Sequence, residues 1–286
     1  MKVVIYPNFR KQYAPEVTRA VCQALHQMGL EIGVDQIHRN ALGDISYIDF
    51  GNLCEMAEQA EFAIAIGGDG TILKCARKLM RSDVKLLGIN TGRLGFMAAL
   101  ESDELDQLPR LLTGGYRVSQ RMMLRAALWR EGKEIGVYTA LNDVYASRYG
   151  GRMSDFSVYA DDSLIGRYRA DGVVFSTPTG STAYSLSAGG PIIEPDLSCI
   201  EMTLICPHSL FARPVLFSAD RRITLVPEHY KTATLSLSAD GNESVEMQPE
   251  DRVVLTRSSH TVSLVEMTDS HFFDSLNGKM MHALKE

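Results

Sequence analysis

The feature that most constrains this chain is a change of rhythm near residue 115. Before it, strand-like runs alternate with runs at helical spacing; after it, nearly every apolar segment reads as a strand. KVVIY (Lys2–Tyr6) is a short β-branched run, and Val17, Val21, Ala24 and Met28 then recur at helical spacing, with Gly29 as a stop signal. A helix-like stretch from Ile48 to Gln59 leads into FAIAI (Phe62–Ile66). A helix from about Gly70 to Met80, a strand VKLLGI (Val84–Ile89) and a helix around Ser102 to Leu112 follow. Such alternation predicts an α/β domain, doubly wound around a mostly parallel sheet. Beyond Thr113-Gly114-Gly115 come MLRAALWR, IGVYTALNDVYAS, FSVYA, DGVVFS, MTLIC, RITLV, TATLSLSA and DRVVLTR, separated by turn signals such as REGKE and ADDS. These predict a β-rich antiparallel domain. The expected division is 1–115 for the α/β domain and 116–269 for the β domain, with a helical tail at 270–286 packing back on the first.

The bulk properties limit the partners. The 286 residues are 45 % hydrophobic and 22 % charged, with a formal net charge of −6. That balance suits a soluble globular protein and argues against a general nucleic-acid or membrane-surface binder. The start, MKVVIYPNF, lacks a signal-peptide core, and no apolar run approaches a membrane span. Five cysteines without CxxC spacing fit a reducing, cytoplasmic setting better than a disulfide framework, and no zinc site is evident.

The chemistry concentrates at Gly67-Gly68-Asp69-Gly70-Thr71, where a buried-looking strand stops and a helix pattern begins. As plain architecture, glycines relieve a tight turn and Asp is a good helix N-cap. The same geometry suits phosphate, because ligands of open α/β sheets bind beyond the carboxyl ends of strands, where bare N–H groups and a helix start attract anions. There Asp69 could hold a Mg²⁺ that bridges phosphates, or accept the proton of a hydroxyl being phosphorylated. No GxxxxGK[ST] is present, and no GxGxxG follows the first strand, so neither a P-loop nor a dinucleotide fingerprint applies.

Three further segments fit the first. GINTGRLGFMA (Gly88–Ala98) forms a second flexible polar loop, in which Arg93 is either a surface cation or a phosphate neutraliser. Asn142 and Asp143 interrupt a strand-like run as edge residues or as ligand hydrogen-bonders, and an Asn amide can pair with an adenine edge. In RADGVVFSTPTGSTAYSLSAGGPI (Arg169–Ile192), Ser181, Thr182, Tyr184, Ser185 and Ser187 crowd one turn. Hydroxyls there are either caps or the lining of a neutral nucleoside pocket with a stacking ring.

Taken in order, GGDGT (67–71), NTGRLGF (90–96), ND (142–143), DGVVFSTPTGSTAYSLSAGGPI (171–192) and PHSLFARP (207–214) resemble the motifs of NAD kinases over nearly the whole chain. That family phosphorylates the adenosine 2′-hydroxyl of NAD, using ATP or, in some members, inorganic polyphosphate. The resemblance implies Asp69 as catalytic base, with Gly67, Gly68, Gly70, Thr71 and Arg93 at the donor phosphates and Mg²⁺ carried mainly by those phosphates. Gly70, Asn142, Asp143, Arg169, Asp171, Thr182, Ala183, Tyr184 and Ser187 would meet NAD, in a cleft between the domains. It also implies a homodimer or homotetramer with no nucleic-acid or membrane partner. One departure is visible: the family motif is Asn-Glu, whereas this chain has Asn142-Asp143, one methylene shorter. GGDGT alone also occurs in lipid kinases and phosphofructokinases. The polar TPTGSTAYSLS segment argues against a lipid substrate, and no sugar-phosphate arginine pattern accompanies it. A non-catalytic dinucleotide-binding regulator is the rival of a different class.

Overall fold

The computed structural model describes residues 1–286 except 93–94, 151, 229–233, 243, 269–270 and 284–286. Two compact units emerge: Met1–Gln120 with Val262–Glu286, and Arg121–Thr261.

In the first unit the elements run β1 (Lys2–Pro7), α1 (Ala14–Gln27), β2 (Glu31–Asp35), α2 (Arg39–Leu42) and β3 (Ile48–Gly51). They continue with α3 (Leu53–Ala57), β4 (Phe62–Ile66), α4 (Asp69–Leu79), β5 (Lys85–Asn90), β6 (Leu100–Glu101) and α5 (Arg110–Thr113). The sheet order β5-β4-β1-β2-β3 is parallel throughout. All five residues of β4 and the Val3-Val4-Ile5 run of β1 are buried, as expected for strands covered on both faces. The chain moves outward from β1 through β2 to β3, then returns to β4 on the other side of β1. The β1–β4 junction is therefore the topological switch point, where open α/β sheets place their ligands. Register aligns the strand ends there, Pro7 beside Ile66 and Ile66 beside Ile89.

Helix α4 buries Thr71, Ile72, Cys75, Ala76 and Leu79, a stripe at helical spacing. Residues Ile48 to Gln59 are not one helix: Ile48–Gly51 is a parallel edge strand on β2, and only Leu53–Ala57 is helical. Asn52 separates the two, its Oδ1 accepting the Cys54 N–H at 2.9 Å as an N-cap. The expected Ser102–Leu112 helix is reduced to a 3₁₀ turn, Leu105–Gln107, and α5. Pro109 separates them, and Gly114 ends α5 at φ +73°.

The second unit contains most of β7 (Arg117–Arg130), then β8 (Lys133–Ala140), β9 (Asp143–Tyr149), β10 (Ser154–Ala160), β11 (Ser163–Ala170) and β12 (Gly172–Ser176). A short helix α6 (Tyr184–Ser187) precedes β13 (Cys199–Ile205), β14 (Val215–Ser218), β15 (Ile223–Pro227), β16 (Thr234–Ala239), β17 (Val245–Glu246) and β18 (Arg252–Glu266). Beyond Val262 the chain belongs to the first unit, where Ser263 and Leu264 of β18 pair in parallel with β5 and α7 (His271–Ala283) follows. One antiparallel sheet has the order β14-β13-β12-β9-β16-β17; β11-β10-β15-β18 and the β7–β8 hairpin form the facing layer. Their shared core includes Val144, Phe156, Phe175, Met202, Leu237 and Leu255. Alternation then fixes the outer face of the first sheet: Val144 points inward, so Asp143 and Tyr145 point out. The same logic turns Ser176, Glu201 and Thr203 outward. Among the described residues, no helix is long and apolar enough to cross a membrane.

Candidate functional site

At the switch point the glycine turn is held from three sides. Asn8, which follows β1, donates its N–H to Ile66 O at 3.0 Å and its Nδ2 to Thr71 Oγ1 at 3.0 Å, while the Gly67 N–H reaches Ile89 O at 2.9 Å. Gly67 sits at φ +155°, and a Cβ there would lie 2.3 Å from Thr71 Oγ1. The N-cap of α4 is Gly68, without a side-chain cap, and Asp69 opens the helix. Asp69 is thus free of the capping role that its sequence position suggests. Its carboxylate instead accepts the Phe96 N–H at 2.8 Å and the Met97 N–H at 3.2 Å. Gly95 makes that approach feasible, since a Cβ there would lie 2.1 Å from Asp69 Oδ1. Asn90 shapes the start of the same loop: its Nδ2 donates to Glu101 Oε2 at 2.8 Å and its Oδ1 accepts the Gly92 N–H at 3.2 Å. Arg93 lies outside the described residues.

A cavity of about 530 Å³ opens beside Thr71, lined among others by Asn8, Phe9, Ile37, His38, Lys74 and Lys78. Asn8 and Lys74 line this cavity, and sequence reasoning missed both. Lys74 lies four residues after Gly70, on the same helix face, which is the signal that could have found it. Burial holds the His38 imidazole below its ordinary pKa, although Asp35 pulls the other way. The cavity therefore combines apolar rings with exposed ammonium groups.

The second unit places the other predicted residues along β9, β12 and α6, except Arg169, which lies on β11 of the facing layer. The strand-like run at 133–149 is broken at Leu141-Asn142, with β8 ending at Ala140 and β9 starting at Asp143. Thr177 locks this break to the next strand exit: its N–H donates to Asn142 O at 2.9 Å and its Oγ1 to Leu141 O at 2.6 Å. Gly180 has no room for a side chain, because a Cβ there would lie 2.0 Å from Asn142 O. The Asn142 Oδ1 is buried without a hydrogen-bond partner among the described residues. Asp143 is 5 % exposed and accepts the backbone N–H of Tyr184 at the start of α6. Burial, then the nearby Asp240 carboxylate, push its pKa up to about 7.

The hydroxyl-rich turn divides by depth. Ser181 and Ser185 are fully buried and serve the scaffold, so they do not line a ligand surface. Ser181 Oγ donates to Pro178 O at 2.8 Å and accepts the Ile193 N–H at 3.0 Å. Ser185 Oγ donates to Glu201 Oε1 at 2.6 Å. Glu201, itself fully buried, also accepts Ser176 Oγ at 2.9 Å and Thr203 Oγ1 at 2.8 Å. This cradle holds α6 on the sheet, and sequence reasoning missed Glu201 because it looks like an ordinary strand glutamate. Thr182, Ala183, Tyr184 and Ser187 remain accessible to varying degrees, with the Tyr184 ring edge-on to Tyr145 at 5.1 Å. Asp171 pairs with Arg148 at 3.2 Å. Arg169 forms a two-pronged pair with Asp155 at 2.8 and 2.9 Å, on the edge hairpin β10–β11.

Comparison with known proteins shows the family. Residues 3–116 match the ATP-NAD kinase N-terminal domain, and residues 141–267 match the ATP-NAD kinase C-terminal domain. The chain belongs to the NAD kinase family. A NAD kinase of Symbiobacterium thermophilum is 41 % identical over 224 residues, 78 % of this chain and 79 % of that protein. Among solved structures, yeast NADH kinase complexed with NADH superposes with a TM-score of 0.89 at 24 % identity, over 97 % of this chain and 86 % of that one. An NAD kinase from Archaeoglobus fulgidus in complex with ATP gives a TM-score of 0.71 at 24 % identity, over 96 % of each chain. At that identity the two structures speak to the fold.

Within this NAD kinase fold, Asp143 carries a pH signature. Unfolded, its carboxyl ionises near pH ~4; folded, it holds its proton to about 7. Between those values the native state binds the extra proton, so stability is lost as pH rises through the window. Asp143→Asn keeps an acceptor for the Tyr184 N–H and removes the ionisation. It is expected to melt about 5 °C above the unsubstituted protein at pH 8, the gap closing toward pH 4. A gap constant across pH would remove Asp143 as the titrating group. Gly180→Ala drives a methyl into the Asn142 backbone and is expected to cost about 3 kcal/mol in denaturant unfolding. An unchanged midpoint would mean that the two segments can separate freely.

Proposed function

We propose that this NAD kinase family member transfers the terminal phosphoryl group of ATP to the adenosine 2′-hydroxyl of NAD, forming NADP and ADP. The observation that carries the reading is Asp69, an aspartate at the switch point whose carboxylate is aimed by two backbone N–H groups and not spent on capping its helix. Family membership supplies the overall reaction, and the complex of the Archaeoglobus relative with ATP supports ATP as donor. The yeast relative's complex with NADH supports a nicotinamide dinucleotide as acceptor.

A carboxylate offers about four lone-pair sites, so two N–H donors leave room for a hydroxyl. In the proposed step the 2′-oxygen bonds to the γ-phosphorus as the bond to the β,γ-bridging oxygen breaks, and Asp69 collects the hydroxyl proton. Phosphoryl transfer is commonly loose, with little nucleophile bonding early, so the proton can leave late and a weak base suffices. The N–H groups around Gly67, Gly68, Gly70 and Thr71 would face the donor phosphates, with Arg93 contributing charge and Lys74 at the cavity mouth. Asn142, Asp143, Thr182, Ala183, Tyr184 and Ser187 would receive the adenosine of NAD, with Arg169 and Asp171 farther along the dinucleotide. The exocyclic amine of adenine is a donor that would satisfy Asn142 Oδ1, a group costly to bury alone. Among the described residues, no group of three or more His, Cys, Asp and Glu could hold a metal. Mg²⁺ would ride on the donor phosphates, where it would offset their charge. Leu210 and Phe211 are 89 % and 88 % exposed, an apolar pair that supports assembly as a homodimer or homotetramer. A cytoplasmic location belongs to the same reading.

Asp69→Asn is expected to lower kcat by about 10²–10⁴-fold while the KM for NAD moves less than about threefold. NADP formation from NAD and ATP, read through an NADP-specific dehydrogenase, checks both. Wild-type protein that binds NAD and forms no NADP would leave the regulator reading in its place. Phe211→Asp is expected to shift the molar mass by light scattering toward the monomer, and an unchanged mass would sink that surface.

A further inference from the structure

Every backbone polar group of Leu141, Asn142 and Asp143 is tied down, from two directions. Thr177 takes the Leu141 and Asn142 carbonyls, as described above. The three N–H groups all point at one carboxylate, that of Asp240, on the turn between β16 and β17. Leu141 N donates to Oδ2 at 2.9 Å; Asn142 N and Asp143 N donate to Oδ1 at 2.9 and 3.2 Å. The Asp240 N–H returns a bond to Asp143 O at 2.9 Å.

Asp240 is not needed to close its own hairpin. That turn is closed by Asn242 N to Ala239 O at 3.1 Å, Asn242 Nδ2 to Ala239 O at 2.5 Å and Ser238 Oγ to Asn242 O at 2.8 Å. Two local costs fall on this residue. Its backbone is left-handed at φ +51°, an uncommon state for a residue with a side chain. Its charge also lies beside the buried Asp143, and two carboxylates in one site disfavour each other's ionisation. Among the described residues, Tyr184 faces Tyr145, and Cys206 and Asp171 also act on it electrostatically. Those two costs alone would favour a neutral turn residue; three charge-assisted bonds to the Asn142 segment offset them.

We propose that Asp240 is a positioning residue for NAD: by clamping the 141–143 backbone, it sets where the Asn142 amide points and where Asp143 meets the start of α6. This rests on the NAD kinase reading and deepens it. The adenosine half of the acceptor site is built by a residue that does not touch the ligand. Asp240 supplies geometry, and Asn142 supplies the contact.

The test uses full-length protein and two variants. Asp240→Ala removes all three acceptors. Asp240→Asn keeps the shape and one carbonyl, but turns an NH₂ toward an N–H donor. Calorimetric titration with NAD is expected to show Kd raised about 10-fold or more in Asp240→Ala and about 3-fold or more in Asp240→Asn. The KM for ATP at saturating NAD is expected to stay within about twofold, and kcat within about threefold. A merely structural role would lower the active fraction, and hence kcat, with both constants unchanged. Equal shifts for NAD and ATP, or an unchanged Kd for NAD in either folded variant, would overturn the proposal. If Asp240→Ala does not fold, the Asn variant decides. Wild-type protein that binds NAD without turnover refutes the kinase reading and leaves the Kd ratios to judge Asp240. Wild-type protein that does not bind NAD overturns both.

Discussion

Donor groups stranded outside helices and ladders must find an acceptor, and at three places in this chain the acceptor is a carboxylate. Asp69 takes the N–H groups of Phe96 and Met97, Asp240 those of Leu141 to Asp143, and Glu201 the hydroxyls of Ser176, Ser185 and Thr203. A bond to an ionised acceptor is about twice as strong as a neutral one, and its loss leaves donors unsatisfied in a protein interior. Irregular segments can therefore be held as firmly as a strand. A reaction that leaves the protein little covalent work, and much alignment, needs such firmness in loops.

The three carboxylates differ in what they hold and so in what they leave free. Glu201 is fully buried and spent on the scaffold. Asp240 is spent on backbone that in turn presents a side chain. Asp69 alone stands at the switch point, with acceptor capacity beyond its two N–H partners. Chemistry of one type, a carboxylate meeting N–H or O–H, serves as foundation in Glu201 and holds irregular backbone in Asp240, and in the proposed reaction it supplies the base in Asp69.

Much of this was legible in sequence, in proportion to how local the cause was. The glycine turn after FAIAI, the short helix after TPTG and the succession of an α/β part by a β part rest on adjacent residues, and the structure has them. Strand order is not local, so the coincidence of that turn with the β1–β4 switch point needed the fold. Ile48 to Gln59 misled because a four-residue edge strand running through a capped turn into a short helix mimics one helical stripe. Ser181 and Ser185 could not be told from Thr182 and Ser187 by composition; a burial pattern set by Glu201 and Ile193 separates them. Asp240 was invisible for a plainer reason. Asp-Gly is the expected hairpin dipeptide, and nothing local reveals that its carboxylate serves residues 97 to 99 positions away.

Gly95 shows where function can reside without a side chain. The space that its missing β-carbon leaves is occupied by the Asp69 carboxylate, 2.1 Å from where that carbon would be. Any other residue at 95 would displace that carboxylate, or push back the loop that holds it. In the proposed reaction Gly95 would score in a mutational scan beside Asp69, although it offers the substrate no side-chain atom. Asp69 and Gly95 are one packing unit divided between a helix start and a loop, an occupant and its room, and neither can be redesigned while the other stays fixed.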